Sequence, residues 1–417
     1  MDHEIRVLTQ KEELADYARI AFDAYPGFGM DDASQLQAYL EKIAEKSPSV
    51  RPLGAFRDGT LTGGMLVYDY SMNYRGKFIP VAGVGLVAVD LLRKKEHVCK
   101  DLVTAFIHES MERGRPLTLL YPFRPDFYYK MGYGYGAPLY EYRVRTDNFI
   151  TGSSKEGLGH ATSEHREEIV RCYNQMAERT HGMIRRSETD MGRILAKKGH
   201  HTIVVRENGE VSGYVVFKFE SAHKSNFVAN DLAIVERMEN TPQARERLNT
   251  FIGGQRDQCA HVVYRTFDAE EYHRLTDPRD PSGDLVPDVY HAGYRGAVGL
   301  MYRVGDIVGF FREAELPAPE HWKGLALEIT DSLLSDEPLS GVLTEESGLL
   351  KFVTPRSGQG LPTVRLGVQA LSSLLMGALS PGKALKDSLV RADSHEAEKE
   401  FMKICGAMEK PQCWTSF

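Results

Sequence analysis

Three basic side chains stand in a row, Arg93-Lys94-Lys95, and a string crowded with rings follows later, Phe127-Tyr128-Tyr129-Lys130-Met131-Gly132-Tyr133-Gly134. Guanidinium and ammonium groups hold phosphate oxygens through charge-assisted hydrogen bonds. Tyrosine hydroxyls can donate protons, although buried rings are as often simply core. Neither string acts unless neighbouring elements hold it. Residues 81–89 (Val-Ala-Gly-Val-Gly-Leu-Val-Ala-Val) are small and β-branched, which suits a buried strand, and the charged residues 90–97 end it. A helix is expected next, with Val98, Leu102, Ala105, Phe106 and Ile107 on its apolar stripe as far as Arg113-Gly114. The short apolar run 117–121 leads into the tyrosine string. A strand ending in a basic turn that opens a helix presents backbone N–H groups and a positive dipole end, a ready site for a pyrophosphate.

In order and spacing these residues resemble the acetyl-coenzyme A core of the GNAT N-acetyltransferases, and more closely its enhanced-intracellular-survival (Eis) branch. That branch carries a Val-x-Val strand, a basic loop, a helix and an (Ile/Phe)-Tyr-x-(Arg/Lys)-(Phe/Met)-Gly-Tyr-Gly box. The matching residues here are Val87-Ala88-Val89, Arg93-Lys94-Lys95 and the string from Phe127 to Gly134. The resemblance implies acetyl-CoA as cosubstrate. Val87 and Val89 would then pair with pantetheine through their backbone, Ala88 would belong to the same cofactor site, and Arg93, Lys94, Lys95, His97 and Val98 would surround the pyrophosphate.

It also implies roles in proton transfer. Tyr128 occupies the position of the tyrosine that protonates the departing sulfur. With pKa values of ~10 for tyrosine and ~8.5 for a thiol, that transfer is uphill by roughly 2 kcal/mol, within reach of a hydrogen-bonded donor. The general base implied is the α-carboxylate of Phe417, at the end of the neutral, aromatic Trp414-Thr415-Ser416-Phe417. GNAT phosphate loops usually read Arg/Gln-x-x-Gly-x-Gly/Ala, whereas this loop has Glu96 and His97 where a glycine is expected. Side chains of Arg93, Lys94 and Lys95 are therefore expected to take over part of the phosphate binding. GNAT acceptor sites commonly use the loop after the first helix, and there Asp23, Tyr25 and Phe28 either line the amine site or simply end the helix.

Length and charge bound the alternatives. A chain of 417 residues predicts two to three domains. A net charge of −7 argues against a nucleic-acid partner and suits a cationic acceptor. The N-terminal residues lack an apolar signal region and no stretch approaches the ~18 apolar residues of a membrane span, so a cytoplasmic protein with no membrane partner is expected. Five cysteines, each expected to be buried, lack CxxC spacing, and the histidines lack HExxH spacing, so no metal is expected. Serine-hydrolase elbows and Walker loops are absent from the sequence.

An internal echo sets the domain plan. Residues 55–68, with Asp58-Gly59, and 204–217, with Asn208-Gly209, both read as hairpins following a helical region. The second copy has neither basic turn nor tyrosine box. The expected class is α/β (α+β): tandem GNAT-like mixed-sheet domains over 1–150, with the acetyl-CoA site, and 151–295, without it, then a domain over 296–417. This last segment resembles the sterol-carrier-protein-like domain of the Eis branch, which also implies a hexamer. The function implied is acetyl transfer to small polycationic amines, aminoglycosides or lysine side chains, through a direct ternary complex. Two alternatives stand beside it: another acyl donor on the same fold, or a non-catalytic lipid-binding or scaffold protein.

Overall fold

The computed structural model describes residues 4–27, 32–354, 360–406 and 408–417. The chain divides into two compact units. One comprises Met1–Gly136, Leu300–Pro411 and Ser416–Phe417, and the other Ala137–Gly299 with Gln412–Thr415. The divisions lie at Gly136/Ala137 and Gly299/Leu300, and residues 300–411 cluster with the first unit.

The N-terminal segment of the first unit runs β1 (Glu4–Val7), α1 (Lys11–Ala24), α2 (Ala33–Lys46), β2 (Val50–Arg57), β3 (Thr60–Tyr74), β4 (Lys77–Val89), α3 (Val98–Glu112), β5 (Leu117–Leu120), α4 (Pro125–Lys130) and β6 (Gly134–Tyr135). The second unit contains β7 (Leu139–Arg145), β8 (Leu158–His160), α5 (Arg166–Ala177), α6 (Glu188–Leu195), β9 (His201–Glu207), β10 (Glu210–Ser221), β11 (Asn230–Glu239), α7 (Pro242–Gly253), β12 (Cys259–Thr266), the short hairpin β13 (Leu285–Val286) and β14 (Tyr290–His291), and β15 (Tyr294–Ala297). Returning to the first unit, the chain forms β16 (Met301–Val304), α8 (Ile307–Ala314), β17 (Leu325–Thr330), β18 (Leu339–Glu346), β19 (Leu349–Val353), β20 (Thr363–Gly367), α9 (Val368–Leu375), α10 (Pro381–Lys386), β21 (Val390–Ala392) and α11 (His395–Cys405).

Two seven-stranded sheets share one plan. The first is ordered β1-β2-β3-β4-β5-β16-β6 and the second β15-β7-β12-β11-β10-β9-β8. In each, the strand beside the parallel pair comes from a distant part of the sequence: β16 fills that place in the first sheet and β7 in the second. Both echoed hairpins are present, turning at Asp58-Gly59 (φ 52° and 74°) and Asn208-Gly209 (φ 53° and 85°). Positive φ at both turn residues matches the right-handed twist of the flanking strands.

Helix α3 buries Val98, Leu102, Val103, Phe106 and Ile107. Val103 thus takes the place expected of Ala105, which is only partly covered, because the buried row follows the 3.6-residue repeat from Val98. The cluster it packs into includes Met65, Val84, Tyr128, Tyr133 and Met301. The C-terminal sheet is ordered β19-β18-β17-β20-β21, with α9 and α10 between β20 and β21 in the chain and α11 after β21.

The interior of the second unit contains an ion network. Arg186, 4% exposed, donates through Nη1 to both Glu236 oxygens (2.7 and 2.9 Å), through Nη2 to the Trp414 carbonyl (2.5 Å) and through Nε to Thr415 Oγ1 (3.0 Å). The Tyr214 hydroxyl donates to the same Glu236 at 2.5 Å, and the guanidinium lies 3.9 Å from the centre of the Tyr173 ring.

Candidate active site

Strand β4 runs beside β5 in parallel register only from Val81↔Leu117 to Val84↔Leu120 and then continues to Val89 with no partner on that side. Across β4, the ladder with β3 slips: Leu66 faces Gly85 and Gly64 faces Ala88, so two residues of β4 oppose one of β3. Leu86, in that bulge, has φ 50°, and bulges bend a strand and re-aim its groups. Two tyrosines from α1 and its end fix it: Tyr17 donates to the Leu86 carbonyl (2.7 Å) and Tyr25 to the Val87 carbonyl (2.8 Å). Asp90 N–H donates to the Thr62 carbonyl at 3.0 Å. By the alternation of an antiparallel ladder, Val87 and Val89 therefore direct their backbone groups away from β3, to the side that β5 no longer covers.

Beyond β4 the loop is held locally. The Asp90 carboxylate accepts the Leu92 N–H (2.9 Å), and Lys95 and His97 both adopt the left-handed conformation (φ 70° and 64°). His97 is the N-cap of α3 and makes no side-chain capping bond. The first turn of α3 is thus open to an anion. The backbone is already where a glycine would place it, despite the side chains. Glu96, the acid beside His97, is neutralised by Arg57 at 2.5 Å and Arg93 at 3.7 Å.

These elements enclose a cavity of about 480 Å³. Its wall includes Val87, Ala88, Val89, Arg93, Lys94, Lys95, His97 and Val98, together with Tyr25 and Tyr128. Asp23 stands outside this wall and pairs with Arg19 at 3.7 Å, while Phe28 lies outside the described residues. The sequence reading did not single out Cys99, Lys100, Phe123, Arg124 or Phe127 for this wall.

Tyr128, 6% exposed, sits on α4 and lines the cavity together with Cys99. Burial first, then the neighbouring Cys99, holds the Tyr128 hydroxyl well above its ordinary pKa. Burial likewise pushes the Cys99 thiol up to about 11 and Tyr25 up to about 12. Cys99 therefore reports what this cavity does to sulfur: a thiolate formed here is a stronger base than in water. Phenol and thiol both rise, the phenol further, so Tyr128 is held in the protonated form that a donor needs.

Phe417 is packed, not loose, although it does not line the cavity. Its ring lies among Tyr121, Tyr70 and Tyr68 at centroid distances of 5.2, 5.4 and 5.7 Å. Glycines make room for it: a Cβ on Gly83 would sit 2.9 Å from the Phe417 ring, and one on Gly85 would sit 2.8 Å from its carboxyl carbon. The alternation Gly83-Val84-Gly85 puts both glycines on one face of the strand, a sequence signal for close approach that pointed here. Among the described residues, no three His, Cys, Asp or Glu side chains are grouped to hold a metal ion. Among them, too, no helix is long and apolar enough to cross a membrane.

Comparison with known proteins agrees with this fold. Two family models, each described as an acetyltransferase (GNAT) domain, match residues 4–136 and 176–304. No curated protein matches. Among solved structures, a GCN5-related N-acetyltransferase from Anabaena variabilis is similar over all of both chains, with 18% identity and a TM-score of 0.80. A probable N-acyltransferase from Enterococcus faecalis gives 17% identity over 99% of this chain and 98% of its own, with a TM-score of 0.76. Eis1 from Mycobacterium abscessus covers both chains completely, at 18% identity and a TM-score of 0.75.

Proposed function

Since the chain belongs to the GNAT acetyltransferases and is an acyltransferase, we propose that it acetylates amines of small polycationic acceptors, aminoglycosides and lysine side chains among them, directly from bound acetyl-CoA. The observation that carries this reading is the single cavity uniting the splayed end of β4, the basic loop, the uncapped start of α3 and Tyr128. The pyrophosphate is placed at the first turn of α3 with Arg93, Lys94 and Lys95, and pantetheine along the backbone of Val87 and Val89. The net charge of −7 supports a cationic acceptor.

In this reading the acceptor ammonium gives a proton to the Phe417 carboxyl group, directly or through water. The free amine attacks the thioester carbonyl, the C–S bond breaks as Tyr128 protonates the departing sulfur, and the surplus proton on the new amide nitrogen returns to the Tyr128 phenolate. Tyr25 fixes the bulge that aims Val87, and together with Asp23 and Phe28 it is assigned to the acceptor side. The Eis resemblance extends the reading to a cytoplasmic hexamer with a sterol-carrier-like C-terminal domain, which light scattering and lipid-binding assays test.

The decisive experiment is initial-rate kinetics with acetyl-CoA and an aminoglycoside both varied, with myristoyl-CoA as a competing donor. Intersecting double-reciprocal lines and an acetylated amine are expected. Parallel lines would overturn the ternary complex, and coenzyme release from myristoyl-CoA alone would overturn the choice of donor.

A further inference from the structure

We propose that Arg303 is a positioning residue for Tyr128, held in place by Asp331 of the C-terminal segment; this rests on the reading of Tyr128 as proton donor. Arg303, on β16, is fully buried at 0% exposure. Its Nη2 donates to the Asp331 carboxylate at 2.6 Å, and Nε and Nη1 have no hydrogen-bond partner among the described residues. A buried guanidinium so sparsely paired is a poor source of stability, because an apolar side chain of similar volume would avoid its desolvation. What it does supply is a fixed shape and charge beneath one turn.

That turn closes the helix of Tyr128. Gly132 N–H donates to the Tyr129 carbonyl (3.0 Å) and Tyr133 N–H to the Tyr128 carbonyl (3.1 Å). Gly132 has φ 84°, and a Cβ there would lie 1.8 Å from Arg303 Nη1, so the guanidinium occupies the space that only glycine leaves open. The next residue is tied to the same strand: Thr118 Oγ1 lies 3.2 Å from both the Tyr133 hydroxyl and the Arg303 carbonyl.

Asp331 is itself braced. It directly follows β17, and its Oδ1 accepts the Leu333 N–H at 3.3 Å. Its carbonyl accepts the N–H groups of Leu334 and Ser335. Leu333 and Leu334 pack on the cluster that contains Tyr128, Met131 and Tyr133. The C-terminal segment thereby supports the tyrosine box from below, a role independent of any lipid.

The test is a double-mutant cycle on kcat using Arg303→Met, Asp331→Asn and Tyr128→Phe, with acetyl-CoA Kd measured by calorimetry. Arg303→Met should lower kcat by about 10- to 100-fold, the scale of a misplaced catalytic group, with Kd changed less than about twofold. Asp331→Asn, which keeps a hydrogen-bonding side chain, should lose less, and it carries the test if Arg303→Met does not fold. Either change placed on Tyr128→Phe should add little further loss, because both act through the same hydroxyl. Full losses that multiply, or an unchanged kcat in both variants, would overturn the proposal. An unimpaired Tyr128→Phe alone would instead overturn the reading of Tyr128 on which it rests.

Discussion

The two sheets follow one strand order, yet their fourth strands hand over to a helix differently. In the first unit, residues 90–97 intervene between β4 and α3, two of them left-handed, and the helix starts without a side-chain cap. In the second, only Asn240 and Thr241 separate β11 from α7. Thr241 Oγ1 accepts the Ala244 N–H at 3.0 Å, and Pro242 at the first helical position has no N–H to offer. The acid at the end of β11, Glu239, is paired with Arg237 and Arg245, each at 2.7 Å, so the local cations are already matched. Further in, Val87 stands three residues past the last parallel pair of its sheet and faces a cavity, while Glu236 stands three past the last pair of its own and is locked by Arg186. The same scaffold is thus open to an anion or closed to it by the fate of a few backbone donors, and chemistry does not follow from the fold alone.

Substitutions in matching places sharpen this contrast. The largest effect belongs to the closed unit: Arg186→Met strands a buried Glu236 and should lower stability by about 3–5 kcal/mol in chemical denaturation. A loss below about 1 kcal/mol would mean that the network is not what fills this interior. Next, Tyr128→Phe should reduce kcat by about 10²-fold, equivalent to ~2.7 kcal/mol, while Tyr214→Phe, in the second unit, leaves kcat unchanged in the same assay. Lys94→Ala and Arg93→Ala should each weaken acetyl-CoA by about 1–3 kcal/mol in calorimetry, and Arg245→Ala should not. At the two helix starts the sizes differ. Thr241→Ala should cost about 1 kcal/mol of stability through its lost cap.

His97→Gly should have the smallest effect. Relief of the left-handed strain is offset by the greater freedom of glycine in the unfolded chain, leaving about 0.5 kcal/mol or less. Because the loop already holds its donors where glycine would, any gain in acetyl-CoA affinity should be correspondingly slight. A tenfold gain would show instead that the imidazole obstructs the phosphates.

The strand, the basic turn, the helix and the tyrosine box were legible because each is a local pattern read over consecutive residues. Both hairpins were legible for the same reason, through Asp-Gly and Asn-Gly. What escaped depends on distant partners. Nothing local marks Leu86 as a bulge, since the slip is set by β3 and by Tyr17 and Tyr25. Cys99, expected merely to be buried, lines the cavity because the helix period turns it toward Tyr128. Asp23 and Tyr25 sit two residues apart, yet one meets Arg19 and the other meets β4, because the chain leaves α1 between them. Arg303 gives no signal at all in a four-residue strand until Gly132 and Asp331 are brought to it.

The borrowed strand β16 also has a meaning for how the protein is made. Strand β5 pairs on its far side with Met301–Val304, and β6 pairs with β16 alone in the sheet. Both must wait until the ribosome has read through Ala137–Gly299. At the usual pace of synthesis, about 5–20 residues per second, that wait is on the order of ten to forty seconds. During it the apolar β5 is an unpaired edge, the kind that recruits other chains. The nascent protein thus passes through an interval in which it needs protection from its own neighbours, and an abridged gene ending before Leu300 would make that interval permanent.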